Sequence, residues 1–296
     1  MCRLFGFRSR VSLSVQRSLV KAENAVSVQS GEHRDGWGIA YYAVNATEPM
    51  VILSDQCALE DHKFERAAGF VASHTVLAHV RRATIGVVDE TNTHPFQFGR
   101  WAFAHNGTLW ALDRAYWIET LDDDLRETIR GTTDSEMSFL VLLQRMRDAG
   151  IDLDKPPQDV GERCVPIVEE LYRAFWEECD RGCTERPPLW NFILTDGIHF
   201  IVHRAGLELV FSTQKKICGD EEICPVHDKV CFGPRRDVPH THFLVASEPT
   251  SDDDVWEAVP DHGILVLTDD LRLKEYRYRE TVAPWPHQAS ADTGSV

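Results

Sequence analysis

The sequence predicts an α+β fold in which antiparallel sheets are covered by helices. Strand-like segments come first and last with helical segments between them, hairpin signals stand at both ends, and no GxGxxG or P-loop pattern is present. No internal repeat or low-complexity linker divides the chain, so residues 2–282 are expected to form one domain and 283–296 a disordered tail.

Residues 1–9 read as a buried strand and 13–28 as a helix of mixed polarity. The loop 31–36 feeds an aromatic and branched strand, Trp37–Tyr42, with Val51-Ile52-Leu53 as its hairpin partner. A helix over 59–70 leads to the strand 75–81, and Trp101–His105 is a strand that the Asn106-Gly107 pair is expected to end in a tight turn. Thr133-Asp134-Ser135-Glu136 has capping-box spacing and opens a helix over the apolar run to Met146. Pro156 and Pro157 place a loop over 152–166, with a helix over 166–178. Strands at 189–195 and 198–204 flank an Asp196-Gly197 turn, and further strands are expected at 207–212, 243–248, 263–268 and 271–278.

Composition narrows the function classes. Hydrophobic residues at 43% and charged residues at 26% suit a globular protein with a sizeable core. A formal net charge of −16 argues against nucleic acid, whose phosphates demand a basic footprint. No stretch approaches ~20 uninterrupted apolar residues, so no transmembrane helix is expected. Arg3, Arg8 and Arg10 interrupt the start, which leaves no signal-peptide apolar region. Eight cysteines in a long chain without a leader read as reduced thiols and a cytoplasmic location.

The start, Met1-Cys2-Arg3-Leu4-Phe5-Gly6-Phe7, carries a chemical possibility. If Met1 is removed, Cys2 bears a thiol and a free α-amino group on one Cα atom, which is a nucleophile with its own base. Three other polar clusters stand near predicted strand ends or helix starts: Arg81 with Thr84, Asn106-Gly107, and Asp134. Taken singly, Arg81 is a solvated charge, Asn106-Gly107 a turn and Asp134 a helix cap.

Taken in order, these stretches resemble the glutaminase domain of class II glutamine amidotransferases, within the N-terminal nucleophile hydrolases. Met1-Cys2 resembles the family's processed start and Asp35-Gly36-Trp37-Gly38 its second motif. His79-Val80-Arg81-Arg82-Ala83-Thr84-Ile85-Gly86 is similar to the segment that binds the glutamine α-carboxylate, and Asn92-Thr93-His94-Pro95-Phe96 to the one after it. His105-Asn106-Gly107 resembles the oxyanion segment and Thr133-Asp134-Ser135-Glu136 the segment that binds the α-amino group. Ala246-Ser247-Glu248-Pro249, with acidic residues and Trp256 following, is similar to a stand-alone branch. That branch includes amidohydrolases of ergothioneine biosynthesis and the fungal glutathione-degradation subunit.

The resemblance implies a four-layer αββα sandwich and an amidohydrolase acting on glutamine or a γ-glutamyl compound through a γ-glutamyl thioester. It implies Cys2 as nucleophile, Asn106 and Gly107 as the oxyanion donors, and Arg81, Thr84 and Asp134 as substrate-binding residues, with Trp37 and His105 as pocket residues. No cofactor is implied, and a separate synthase or peptidase subunit is a possible partner. Many family members have an aromatic residue after the carboxylate-binding arginine and a histidine after the threonine. This chain has Arg82 and Ile85, which points to a different side-chain pocket and leaves the substrate beyond the γ-glutamyl group open.

Two other readings stand beside it. Cys218, Cys224, His227 and Cys231 could form a tetrahedral zinc site, although they lack paired CxxC knuckles. A non-catalytic, partner-binding subunit of the same fold would be expected to have lost at least one of the nucleophile, oxyanion or ligand-charge residues.

Overall fold

The computed structural model describes residues 1–182, 186–218, 231 and 239–278. In chain order the strands and helices are β1 (Arg3–Ser14), α1 (Val26–Gln29), β2 (Trp37–Tyr41), β3 (Met50–Ser54), α2 (His62–Phe70), β4 (Ala72–Val80), β5 (Phe96–Phe98) and β6 (Trp101–Thr108). There follow α3 (Arg114–Glu119), α4 (Asp123–Arg126), α5 (Asp134–Asp148), α6 (Val160–Arg181), β7 (Leu189–Thr195), β8 (Phe200–Arg204) and β9 (Val210–Ser212). The last are β10 (His242–Ala246), β11 (Glu257–Ala258), β12 (Gly263–Leu267) and β13 (Leu273–Arg277).

The strands form a seven-stranded sheet in the order β11-β9-β10-β1-β4-β2-β3 and a six-stranded sheet in the order β13-β12-β8-β7-β6-β5. Every described pairing is antiparallel. Period-two alternation sends the two faces of each strand to different cores. Leu4, Ala40, Leu77 and Val245 from the first sheet meet Ala102, Ala104, Ile193 and Val202 from the second. On the first sheet's outer face, Phe5, Trp37, Ile39 and Val80 pack against Val26 and Phe64. On the second sheet's outer face, Phe103, Phe192, Leu194 and Ile264 pack against Leu140 and Leu143 of α5 and Leu171 and Phe175 of α6. The layers are therefore helix, sheet, sheet, helix, as the family resemblance implied.

Three local expectations fail for physical reasons. The helix expected over 13–28 is replaced by the end of β1, a π-helical turn at Arg17–Lys21 and the short α1. Arg10 to Ser14 alternates polar and apolar residues, and Leu13 and Ser14 pair with Ser73 and Ala72 after a bulge, so strand pairing takes this segment. The helix expected from 166 begins at Val160 and contains Pro166. Its apolar stripe of Val160, Cys164, Val168, Leu171 and Phe175 is buried, and that burial outweighs the ~3 kcal/mol that an internal proline costs.

The Asn106-Gly107 turn does not form. β6 continues through it, with Asn106 opposite Asn191 and Gly107 opposite Trp190 of β7. Glycine is required there for proximity: a Cβ on Gly107 would lie 1.9 Å from the Leu189 carbonyl oxygen. Gly38 has the same reason, since its Cβ would lie 2.1 Å from the His94 carbonyl oxygen.

Several histidines are buried and held neutral. Burial pushes His79, His203 and His242 down to about 3, and His33 to about 4. The fully buried His203 donates from Nδ1 to the Trp190 carbonyl, and its neutral ring accepts at Nε2 from the Tyr278 hydroxyl. The folded values lie below the ordinary ~6.5, so the unfolded chain binds protons that the folded one refuses. Stability is complete above ~6.5 and falls as pH drops through the window toward 3. Urea midpoints measured at pH 7, 6 and 5 should therefore fall. Replacing one of these histidines by glutamine should flatten the slope by up to ~1.4 kcal/mol per pH unit.

Candidate active site

The first sheet brings the chain start beside the end of β4. Arg3 pairs with Val80, and the alternation that turns Phe5 outward places Cys2 on the inward face with Leu4 and Gly6. The Cys2 Sγ accepts from the Arg82 amide at 3.3 Å and lies 3.4 Å from the Arg82 carbonyl oxygen, to which the thiol donates. Burial pushes this thiol up; the Arg82 amide, the chain's α-amino group and Arg81 pull the other way, and Asp134 raises it further. The α-amino group of Met1 is held below its usual range by burial, with Arg82 and Arg3 adding to the effect and Cys2 and Glu32 opposing it.

Arg81 is 2% exposed and is wrapped by the loop that follows it. Its guanidinium donates to the carbonyls of Val87 and Ile85, each at 3.0 Å. Asp35 fixes the start of that loop by donating its amide to the Arg81 carbonyl and accepting the Ala83 amide at 2.8 Å. Asn92 fixes its end, donating to the Val87 carbonyl at 3.1 Å and accepting from the Thr132 amide at 2.8 Å. Thr84 Oγ1 lies 3.2 Å from Thr108 Oγ1, which donates to the Gly107 carbonyl at 2.8 Å. The arginine loop is thereby tied to the end of β6.

On β6, Ala102 and Ala104 face the inter-sheet core, so Asn106 faces the same way as Cys2. Asn106 is 3% exposed, and its side-chain oxygen has no partner among the described residues. His105 points the other way, toward α5. Its Nε2 donates to the Leu189 carbonyl at 3.0 Å, so the neutral ring accepts at Nδ1 from the Ser135 hydroxyl at 2.8 Å. Its carbonyl is met from the first sheet by His79 Nε2 at 3.2 Å. His105 therefore joins β6 to the start of α5.

Asp134 is the first residue of α5, where Thr133 caps the helix by accepting the Glu136 amide at 3.2 Å. The Asp134 carboxylate accepts the Leu109 amide at 2.7 Å and sits at the positive end of the helix dipole. Its charge reaches both Cys2 and Arg81. The Glu136 carboxylate accepts the amides of Arg130 and Gly131.

The structure thus gathers Cys2, Arg81, Thr84, Asn106, Gly107 and Asp134 around one end of the inter-sheet space. Trp37 is placed elsewhere: it is fully buried in the outer core, edge-on to Phe64 at 5.0 Å, with its indole donating to Asp61 at 3.0 Å. Residues absent from the sequence-derived set are Ser247 and Glu248 after β10, which bond Leu4 and Arg3. Pairs about 245 positions apart leave no local pattern to read. Cys218 and Cys231 line one cavity with His242, and among the described residues no group of three is placed to hold a metal. Cys224 and His227 lie outside the described residues. No described helix is long and apolar enough to cross a membrane.

The fold and the position of these residues define a class. The profile of the family described as "Glutamine amidotransferases class-II" matches residues 1–290, and the chain belongs to that family. The Saccharomyces cerevisiae protein named "Probable glutamine amidotransferase DUG3" is 28% identical over 90% of this chain and 82% of its own length. A γ-glutamyl-hercynylcysteine sulfoxide hydrolase of Mycobacterium tuberculosis is 31% identical over 39% of this chain and 51% of its own. Among solved structures, a class II glutamine aminotransferase domain protein from Silicibacter pomeroyi superposes with a TM-score of 0.61 at 16% identity, covering 93% of this chain and 99% of its own. Glutamine phosphoribosylpyrophosphate amidotransferase from B. subtilis superposes at 0.57 and 16% identity, over 94% of this chain and 50% of its own. These structural likenesses concern the fold.

The raised thiol of the half-buried Cys2 has a direct readout. In protein that retains Met1, alkylation of Cys2 by iodoacetamide, followed by peptide mass, should be slow at pH 8 and still be accelerating past pH 9. A rate that levels off below pH 8 would contradict the raised thiol.

Proposed function

We propose that the chain is an amidohydrolase that cleaves the γ-amide of a γ-glutamyl compound through a Cys2 thioester. The observation that carries this reading is the convergence on Cys2 of a cation, Arg81, and an anion, Asp134. Such a pair matches the α-carboxylate and α-ammonium of a γ-glutamyl group.

With Met1 removed, the α-amino group of Cys2 takes the thiol proton, directly or through water, and Sγ attacks the γ-carbonyl carbon. The Asn106 side-chain amide and the Gly107 N–H hold the oxyanion, a contact typically worth ~3 kcal/mol of barrier for each donor. The C–N bond then breaks, the proton passes to the departing nitrogen, and ammonia or an amine leaves. Water attacks the thioester, releasing glutamate and restoring the thiol. Arg81 spends two of its five N–H groups on Ile85 and Val87, so three are available to a carboxylate.

The γ-glutamyl conjugate is favoured over free glutamine by the Mycobacterium tuberculosis relative, a hydrolase of such a conjugate, and by Arg82 and Ile85 in the loop beside Cys2. Hydrolysis of glutamine that feeds a separate synthase or peptidase subunit is the second reading, supported by the glutamine amidotransferase name of the yeast relative. Glutamate and ammonia or amine release should be assayed on glutamine and on several γ-glutamyl amides. High activity of the isolated chain on a conjugate supports the first; activity dependent on a co-purifying subunit supports the second.

Cys2→Ala should abolish turnover, and full activity in that variant would overturn the mechanism. Asn106→Ala should lower kcat by ~10²–10³, and Arg81→Lys should act chiefly on KM. Intact mass of fully active protein should lack Met1.

A further inference from the structure

The N-terminal residues are gripped from β10 as well as from β4. The β1–β10 register pairs Phe5 with Ala246, and its continuation sets Leu4 opposite Ser247 and Arg3 opposite Glu248. Contacts follow that continuation: the Leu4 amide donates to Ser247 Oγ at 2.9 Å, and the Ser247 amide donates to the Leu4 carbonyl at 3.0 Å. Arg3 Nε donates to Glu248 Oε1 at 3.0 Å. The turn bearing Glu248 is itself anchored, since Asn24 donates its side-chain amide to the Pro249 carbonyl at 2.8 Å and its backbone amide to Thr250 at 3.1 Å.

A half-exposed cross-strand ion pair is by itself worth little. This one has a further reach. Arg3 Nη1 donates to the carbonyl of Cys2 at 3.3 Å and to that of Met1 at 3.4 Å. The Cys2 carbonyl remains in the chain when Met1 is removed, and the new α-amino group would then lie on the residue that this guanidinium holds.

We propose that Arg3, braced by Glu248, is a positioning residue for the nucleophile, holding the Cys2 carbonyl in register and keeping a cation beside the amine that serves as base. The proposal rests on the reading of Cys2 as a self-activated nucleophile and adds the residues that tune it. A cation there disfavours the ammonium form, so more of the amine is ready to take the thiol proton. Other charged groups share the space: Arg81 and Arg82 after β4, Glu32, His33 and Asp35 before β2, and Asp134 of α5. Changing Arg3 or Glu248 leaves each of these groups in the chain.

The two partners have opposite signs, which makes the test directional. Protein with Cys2 as its first residue, made by cleaving an N-terminal fusion, is labelled with 13C-cysteine. Titration of the Cys2 Cα and Cβ shifts by NMR separates amine from thiol without any turnover. Arg3→Gln should raise the amine midpoint by about half a pH unit or more, and Glu248→Gln should lower it. Arg3→Lys, which keeps the charge, should stay near wild type. Unmoved midpoints in variants that melt like wild type, or shifts of the same sign, would overturn the proposal. Should Arg3→Gln fail to fold, Glu248→Gln decides alone: a downward shift supports the proposal and any other result overturns it. Turnover that persists in Cys2→Ala would instead sink the nucleophile reading, while the titration still reports whether Arg3 sets the field.

Discussion

Everything at the proposed site depends on the antiparallel register of β1 between β4 and β10. That register sets Arg3 opposite Val80 on one side and Phe5 opposite Ala246 on the other. Because side chains alternate, a slip of one residue would turn Cys2 to the helix-covered face and Phe5 to the inter-sheet core. The slip is prevented by burial on both faces. Leu4 and Gly6 fill the space against the second sheet, where a Cβ on Gly6 would lie 2.8 Å from Val245, and Phe5 and Phe7 fill the outer core. The position of Cys2 is thus a consequence of packing in two cores at once.

The electrostatics follow from the same placement. Burial moves the Cys2 thiol up and the Met1 α-amino group down, so the surroundings disfavour charge on both. Arg3, Arg81 and Arg82 gather here in a chain whose net charge is −16, and Glu248, Asp35 and Asp134 answer them locally. The region is therefore mixed in sign, which suits a zwitterionic group better than a simple anion.

The two sheets are also coupled through polar groups beneath this space. His79, whose ring is tilted against that of His94 at 4.2 Å, reaches across to the His105 carbonyl. His105 in turn holds Ser135, next to Asp134. Motif residues that looked like separate signals in the sequence are parts of one support. Gly38 belongs to it as well, since it lets the His94-Pro95 segment pass against β2.

The order of the motifs, the α+β class, the Trp37–Tyr41 hairpin with β3 and the capped start of α5 at Thr133 were legible in the sequence, because each rests on neighbours within a few residues. The continuation of β6 through Asn106-Gly107 was not, because the backbone of β7 overrides the turn preference of that dipeptide. Likewise, the placing of Trp37 in the outer core and the pairing of Arg3 with Glu248 depend on which face a strand presents and which strand lies beside it. The sequence by itself determined which chemical groups are present and where local structure starts. Tertiary structure alone decided which of them meet, because register and burial are set by contacts between residues far apart in the chain.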